Sequence, residues 1–184
     1  MTSLKPFTCA DLFRFNKVNF DPLTETYGLS FYMTYMARWP DYFKKIENTK
    51  SEVVGYIMGK AEGIGENWHG HVTCLTVAEQ YRRQGLAAKL MRNLEETSEH
   101  KRCYFVDLFV RVTNCKAIRM YESLGYIVYR TVLDYYSGDP DENAFGMNSI
   151  MALMRQINNV ERKMIFHIFC LPYRYAKGFI KRRS

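Results

Sequence analysis

The chain has 184 residues, of which 47% are hydrophobic and 15% aromatic, a composition that predicts one globular domain and excludes a disordered chain. Its net charge of +7 comes entirely from residues 146–184, because residues 1–145 hold equal numbers of basic and acidic side chains. This distribution argues against a nucleic-acid-binding groove in the main domain. No apolar run reaches the length of a transmembrane helix, and we expect no signal peptide at the N terminus.

Strands and helices are predicted in alternation along most of the chain. The predicted strands are residues 3–7, 42–46, 53–61, 71–77, 103–110 and 126–136. The predicted helices are residues 8–20, a largely buried helix that begins with a partial capping box at Thr8, residues 31–38, and two helices that begin at Leu86 and Asn114. Residues 144–154 fit a strand or a helix equally well. The order β-α-α-β-β-β-α-β-α-β predicts an α/β fold with a mixed sheet and helices on both faces.

The five cysteines form no C-x-x-C pair, and their number is odd. We therefore expect reduced thiols in an intracellular protein. Two histidines, His69 and His71, alternate along a predicted strand and share one face. Such a pair can bind a metal, but no third ligand has a suitable spacing in the sequence, so we expect no metal site.

The stretch from 68 to 101 is the most informative part of the sequence. A strand runs through a basic turn with one glycine, Gly85, into a helix whose leucines, Leu86, Leu90 and Leu94, recur on one face. The first N–H groups of a helix have no partner within it, and its dipole favours anions. The turn therefore suits a pyrophosphate, although it is neither a P-loop nor a dinucleotide fingerprint.

The turn Arg82-Arg83-Gln84-Gly85-Leu86-Ala87 resembles the acetyl-coenzyme A loop of the GNAT acetyltransferase superfamily, Q/R-x-x-G-x-G/A. Further motifs follow one another in the order found in the catalytic subunits of NatB-type N-terminal acetyltransferases: LTETYG, WHGHVT, RRQGLAAKLM, FVDLFVRV with Asn114, MYESLGY and DYYS. The likeness covers residues 1–145, which we interpret as a GNAT domain. Residues 146–184 are interpreted as a divergent basic tail that can include the last strand.

The resemblance implies direct transfer of an acetyl group from acetyl-CoA to the N-terminal amine of nascent proteins that begin Met-Asp, Met-Glu, Met-Asn or Met-Gln. It implies that Tyr121 protonates the departing thiolate and that His71 holds a water that acts as a weak base. The residues implied to bind the cofactor are Leu75, Val77, Arg82, Arg83, Gln84, Gly85, Leu86, Ala87 and Asn114. Those implied to bind the peptide are Glu25, Tyr27, His71, Thr73, Tyr135 and Tyr136.

Neighbouring residues of a strand point to opposite faces, so Tyr135 and Tyr136 can both face the peptide only if the strand is bulged or ends there. The resemblance also implies a helical-repeat auxiliary subunit, docked on the first helix and residues 31–39, and a cytoplasmic enzyme at the ribosome. It implies no membrane partner and no direct contact of the main domain with nucleic acid.

Three alternatives stay open from the sequence. One is a GNAT enzyme that acts on a lysine or a small amine. Another is an inactive isoform or binding subunit, because the tail departs from the family pattern. The third is a nucleic-acid or membrane contact confined to the tail, through the basic side chains Lys177, Lys181, Arg182 and Arg183.

Overall fold

The computed structural model describes residues 1–150, so the predictions made for residues 151–184 lie outside the described residues. The described residues form one mixed sheet in the order β1-β2-β3-β4-β5-β7-β6. The strands are β1 Ser3–Pro6, β2 Phe43–Glu47, β3 Val53–Glu62, β4 His69–Val77, β5 Phe105–Arg111, β6 Ile127–Tyr136 and β7 Glu142–Ile150. The α-helices are α1 Asn16–Asn19, α2 Leu29–Arg38, α3 Leu86–His100 and α4 Cys115–Ser123. This order confirms the predicted fold class.

The prediction of one continuous helix over residues 8–20 is wrong, because this segment forms two separate short helices. The capping box forms, since the Asp11 carboxylate accepts hydrogen bonds from the backbone and side chain of Thr8 at 2.8 and 2.7 Å. Asp11 is also fully buried against Lys45 of β2, at 2.6 Å, and against Arg14. These ion pairs hold a 3₁₀ turn, Cys9–Phe13, which the four-residue α1 follows.

Each face of the sheet carries one apolar cluster. Leu86, Leu90 and Leu94 of α3 are buried on one face, as their spacing predicts. Phe15 and Tyr32 pack on the other face, where an aromatic cluster covers the first strands. The first strands of the sheet are therefore covered on both sides, whereas the edge strand β6 is largely exposed.

Residues 144–154 fitted a strand or a helix in the sequence, and the described part of this segment, to Ile150, belongs to strand β7. Strand β7 lies between β5 and β6 and is antiparallel to both. It runs across residue 145, where the domain is predicted to end, and its pairing with β5 continues to Ile150 opposite Phe105. The last described strand is thus an internal part of the sheet.

No helix within residues 1–150 is long and apolar enough to cross a membrane. Cys9, Cys74, Cys103 and Cys115 are free thiols in the described residues, which agrees with the prediction of reduced cysteines.

Candidate active site

A cleft opens where β4 and β5 separate. Over the described residues, their parallel pairing runs only from His69–Val72 against Phe105–Leu108, although both strands continue beyond this point. Backbone groups that face the gap are left for a ligand to pair with. Six of the predicted site residues line this cleft: Glu25, Thr73, Leu75, Asn114, Tyr121 and Tyr136.

The N terminus of α3 lies just beyond β4 in the chain. Gly85 is its N-cap, with a φ of 76°, a left-handed conformation that glycine adopts without strain. Nothing lies within 4 Å of the position that a Cβ of Gly85 would take, so the backbone there faces open space. Within residues 1–150 no side chain caps this helix, and its first intrahelical bond runs from Lys89 N–H to the Gly85 carbonyl. The N–H groups before Lys89, including those of Leu86 and Ala87, are therefore free to bind an anion.

The side chain of Arg82 makes its contacts within the protein. Its Nε–H donates to the Val77 carbonyl at 3.0 Å, and its guanidinium forms an ion pair with Asp21. Arg82 thus fastens the loop at residues 82–85 to the end of β4 and to the loop that carries Glu25 and Tyr27. The neighbouring Arg83 and Gln84 are exposed to solvent, where they can reach a ligand.

Tyr121 and Asn114 face the same cleft, as the seven-residue spacing predicts. Asn114 caps α4, because its side-chain oxygen accepts the Ala117 N–H at 3.1 Å. Burial raises the pKa of the Tyr121 hydroxyl well above its ordinary value, and the nearby Cys74 adds to the shift. Tyr121 is therefore protonated at neutral pH and can donate its proton into the cleft.

His71 is held by a buried carboxylate of the neighbouring strand. Its Nδ1 lies 2.7 Å from Asp107 Oδ1, and the hydroxyl of Tyr129 donates to the other oxygen of Asp107 at 3.3 Å. Burial acts to raise the pKa of Asp107, but the hydrogen bond from His71 and the two nearby imidazoles outweigh it, so this pKa lies below its ordinary value. Asp107 is therefore ionised, and it fixes which nitrogen of His71 carries a proton toward it.

The two tyrosines at the end of β6 lie on the same side of the sheet. Their rings are 4.9 Å apart, and Tyr136 donates a hydrogen bond to the Phe109 carbonyl at 3.1 Å while Tyr135 packs against the Phe109 ring at 4.7 Å. The pairing of β6 with β7 shifts register between Val132 and Tyr136, and Asp134 has a φ of 50°. A bulge therefore brings both side chains to one face, which is the condition that the sequence prediction required.

Two further predicted residues are positioned by aromatic side chains of α2. The Thr73 hydroxyl lies 2.9 Å from that of Tyr35. Tyr27 stacks on Phe31 with ring centroids 4.3 Å apart, and burial raises the pKa of its hydroxyl. Helix α2 therefore positions the Thr73 hydroxyl and the Tyr27 ring.

Comparison with known proteins identifies the family. Residues 13–126 match the model of the acetyltransferase (GNAT) family. The N-terminal acetyltransferase B complex catalytic subunit NAA20 of Arabidopsis thaliana is 57% identical over 166 residues, which cover 90% of this chain and 91% of that protein. An alignment of this length necessarily extends past residue 145. The chain belongs to the GNAT acetyltransferases, and within them to the NatB catalytic subunits.

Solved structures of this family share the fold. Chaetomium thermophilum Naa20 in complex with a bisubstrate analogue superposes with a TM-score of 0.79 at 41% identity, over 85% of this chain and 90% of that one. A NatB acetyltransferase complex bound to CoA and MES gives 0.75 at 46% identity, over 81% and 99%. The predicted family, fold and acetyltransferase class are confirmed; the roles of the individual residues stay predictions.

Sequence reasoning missed Arg111, which joins the two walls of this GNAT cleft. Its guanidinium forms ion pairs with Glu25 in the first loop and with Glu142 at the start of β7, the latter at 2.9 Å. It also lies 4.1 Å above the Tyr136 ring. Arg111 is separated from Glu25 by 86 positions in the chain, so only its place within FVDLFVRV, just before Asn114, gives a sequence signal.

Asp107 was also missed, although it stands three residues before Val110, the last residue of the motif's apolar run. A carboxylate in a buried parallel strand is costly without a partner, and this is the signal that sequence reasoning can use. The structure brings a third side chain of a metal-ligating type to His69 and His71, which the sequence spacing did not indicate. Glu62 lies opposite His69 in the β3–β4 register, and one ligand atom from each of the three residues lies within 4.8 Å of the others.

Proposed function

We propose that this protein transfers the acetyl group of acetyl-CoA to the N-terminal α-amine of nascent proteins that begin Met-Asp, Met-Glu, Met-Asn or Met-Gln. The observation that carries the proposal is the cleft between β4 and β5, which has the protonated Tyr121 in its wall. We assign the pyrophosphate to the free N–H groups at the start of α3, and the peptide to the side of the Asp107-bound His71. These are the groups that a thioester donor and a peptide amine need.

The fit of acetyl-CoA rests on the backbone around Gly85. The left-handed Gly85 opens the turn, and the uncapped first turn of α3 supplies N–H donors for a pyrophosphate. The separated strands leave backbone groups near Leu75 for the pantetheine arm, and Asn114 lines the same passage. When bound, acetyl-CoA supplies a thioester whose carbonyl carbon the amine attacks.

The chemistry needs only modest help from side chains. An α-amine has a pKa of about 8, so an appreciable fraction is already neutral at physiological pH. The amine nitrogen bonds to the acetyl carbon while the carbon–sulfur bond breaks. A water held by His71 takes up the proton that the amine loses, and the Tyr121 hydroxyl donates a proton to the departing sulfur.

The state of Cys74 supports direct transfer without an acyl-enzyme. This thiol lines the cleft, but burial raises its pKa to about 12 even though the Tyr56 hydroxyl lies 3.2 Å away. A thiol that stays protonated at neutral pH is a poor nucleophile. The peptide amine is therefore the attacking group.

Specificity is assigned to the side of the cleft that holds His71 and Thr73. Asp107 accepts from one nitrogen of His71, so the other nitrogen is left to donate to a carboxylate or amide on the second residue of the peptide. The hydroxyl groups of Tyr27, Tyr135 and Tyr136 all have pKa values raised by burial, which keeps them protonated as donors to the peptide backbone.

The auxiliary subunit is expected on the face that α2 presents to solvent. Tyr32 and Tyr35 of this helix are buried in the protein's own core, whereas Leu29 and Met33 are exposed. Phe13, at 85% exposure, adds a large apolar side chain from the first 3₁₀ turn, where the sequence predicted a buried position. We propose that a helical-repeat partner covers these groups and brings the enzyme to the ribosome in the cytoplasm.

A peptide panel tests this function. The full chain with its auxiliary subunit is incubated with acetyl-CoA and peptides that differ only in their first two residues. Met-Asp and Met-Asn peptides should react, and peptides that begin with Ser or Ala should not. Turnover of Ser or Ala peptides without turnover of Met-Asp would refute the specificity, and acetylation of internal lysines alone would favour another amine as substrate.

A further inference from the structure

Three side chains of metal-ligating types lie close together at the N-terminal end of β4. Glu62 of β3 lies opposite His69, and His71 follows two residues later on the same face of β4. One ligand atom from each residue lies within 4.8 Å of the other two. All three are partly accessible, with side-chain exposures of 39%, 13% and 11%. An ion can therefore reach them from solvent.

The orientation of His69 and Glu62 favours coordination. His69 Nδ1 lies 2.6 Å from the Asn67 carbonyl oxygen, which can only accept, so the proton is on Nδ1 and the lone pair is on Nε2. That Nε2 lies 3.9 Å from Glu62 Oε1. Lys60 holds the other oxygen of Glu62 at 2.6 Å. A metal-binding imidazole commonly donates its second nitrogen to a carbonyl in this way.

The surrounding charge also favours a cation. Asp107 Oδ1 lies 3.6 Å from His69 Nε2 and 2.7 Å from His71 Nδ1. Two carboxylates, from Glu62 and Asp107, therefore face the imidazole pair, and the ammonium of Lys60 offsets one of them. The His69 ring is also immobilised by stacking on Phe105 at 4.7 Å and 3°. The two imidazoles therefore lie among negatively charged groups, and the His69 ring is held by stacking.

We propose that Glu62, His69 and His71 bind one Zn²⁺, and that the bound ion prevents the peptide from using His71. Two imidazoles and one carboxylate are a ligand set that zinc accepts, with its fourth position left to water. Bonds of about 2.1 Å to a tetrahedral ion place its ligands roughly 3.4 Å apart, so small side-chain rotations close the observed separations. The inhibition, but not the binding, rests on the proposed role of His71 in peptide recognition.

Binding is tested on the untagged full chain without any peptide. Zinc is titrated in competition with a chromophoric chelator, and cobalt(II) is used separately because its visible spectrum reports tetrahedral nitrogen and oxygen ligands. Glu62→Gln and His69→Asn should each weaken zinc binding at least about tenfold, because each removes a ligand. The matched control is His100→Asn, an exposed histidine at the end of α3, which should bind zinc as the unaltered chain does.

The result that overturns the site is equal zinc affinity in Glu62→Gln, His69→Asn and the unaltered chain. Equal affinity would assign the ion to cysteines or to another histidine. Thermal unfolding of each variant without metal separates loss of a ligand from loss of fold. A zinc-dependent rise in the unfolding midpoint should appear in the unaltered chain and in His100→Asn, and it should be absent from the other two variants.

Inhibition is tested on the complex with its auxiliary subunit. Zinc should raise the KM for a Met-Asp peptide and leave the KM for acetyl-CoA unchanged, a chelator should reverse the effect, and Glu62→Gln should resist it. Equal inhibition of Glu62→Gln, or a rise in the KM for acetyl-CoA, would refute this role. If the complex acetylates no peptide, the proposed function fails while the zinc titration still decides the metal site.

Discussion

The two ends of the cleft are built in opposite ways. The side that we propose for acetyl-CoA is one continuous stretch, residues 75–90, in which β4 runs through the Gly85 turn into α3. The side that we propose for the peptide is assembled from Glu25, His71, Arg111, Tyr135 and Tyr136, which come from four separate parts of the chain. The first side depends on backbone conformation and the second on side-chain contacts over long sequence distances. A change on one side should therefore affect one substrate and leave the other almost untouched.

The largest effect is expected at Tyr121, which lies between the two sides. Tyr121→Phe removes the hydroxyl that we propose donates a proton to the departing thiolate, so kcat should fall about 100-fold with both KM values little changed. Steady-state kinetics measure this. Tyr126→Phe is the control, because it removes another buried hydroxyl, one that donates to Glu95 at 2.9 Å outside the cleft. Equal losses of kcat in both variants would show that Tyr121 is only structural.

A substitution of Arg111 tests the peptide side of the cleft. Arg111→Met leaves Glu25 and Glu142 without their shared ion pair and removes the contact over Tyr136. The KM for the peptide should rise about tenfold, since several weak interactions are lost together. The KM for acetyl-CoA should stay the same.

A matched control is Lys101→Met, which removes the pair with Asp41, two residues that do not line the cleft. It should change neither KM. If Arg111→Met weakens acetyl-CoA binding as much as peptide binding, the two sides of the cleft are not independent.

Gly85 tests the acetyl-CoA side in the same way. Gly85→Ala forces a Cβ into a left-handed conformation, which costs on the order of 1 kcal/mol and shifts the turn, so the KM for acetyl-CoA should rise severalfold. Gly28→Ala is the control, because Gly28 has a φ of −65° and open space around it. Isothermal titration with CoA measures the difference. Equal CoA affinities for the two variants would contradict the proposed turn.

The smallest expected effect is a dependence of stability on pH from Asp107. Its pKa is lower in the folded protein than in the unfolded chain, so the unfolded chain takes up a proton first as the pH falls. The stability that Asp107 supplies is therefore fully present above the ordinary carboxyl pKa and is lost as the pH falls through the lower, folded value. The unfolding midpoint of Asp107→Asn should lie a few degrees below that of the unaltered chain at pH 7.

Measured from pH 8 to pH 3, this gap in midpoint should shrink below about pH 4. Thermal melts across this range measure it. Asp41→Asn, which alters an exposed carboxylate, is the control and should show little gap at any pH. A gap for Asp107→Asn that widens as the pH falls would contradict the sign of the shift.

The acetyl-CoA side was the more predictable one. The leucine spacing predicted the buried face of α3, and the single glycine before it predicted the left-handed turn, because both are local properties of the backbone. The seven-residue interval also placed Tyr121 on the same side of α4 as Asn114. Arg82 was the exception, since its contact with Asp21 spans 61 positions and no local pattern indicates it.

The sequence by itself determined the order of elements, the start of α3 and the resemblance to the NatB catalytic subunits, because local propensity and contiguous motifs carry that information. Only the tertiary structure decided the break in the first helix at buried Asp11, the Arg111 bridge between the walls and the meeting of Glu62 with the two histidines. The physical reason is that strand register and long-range ion pairs set these positions. Register in particular brings Glu62 opposite His69, and a change of one residue would turn it to the other face.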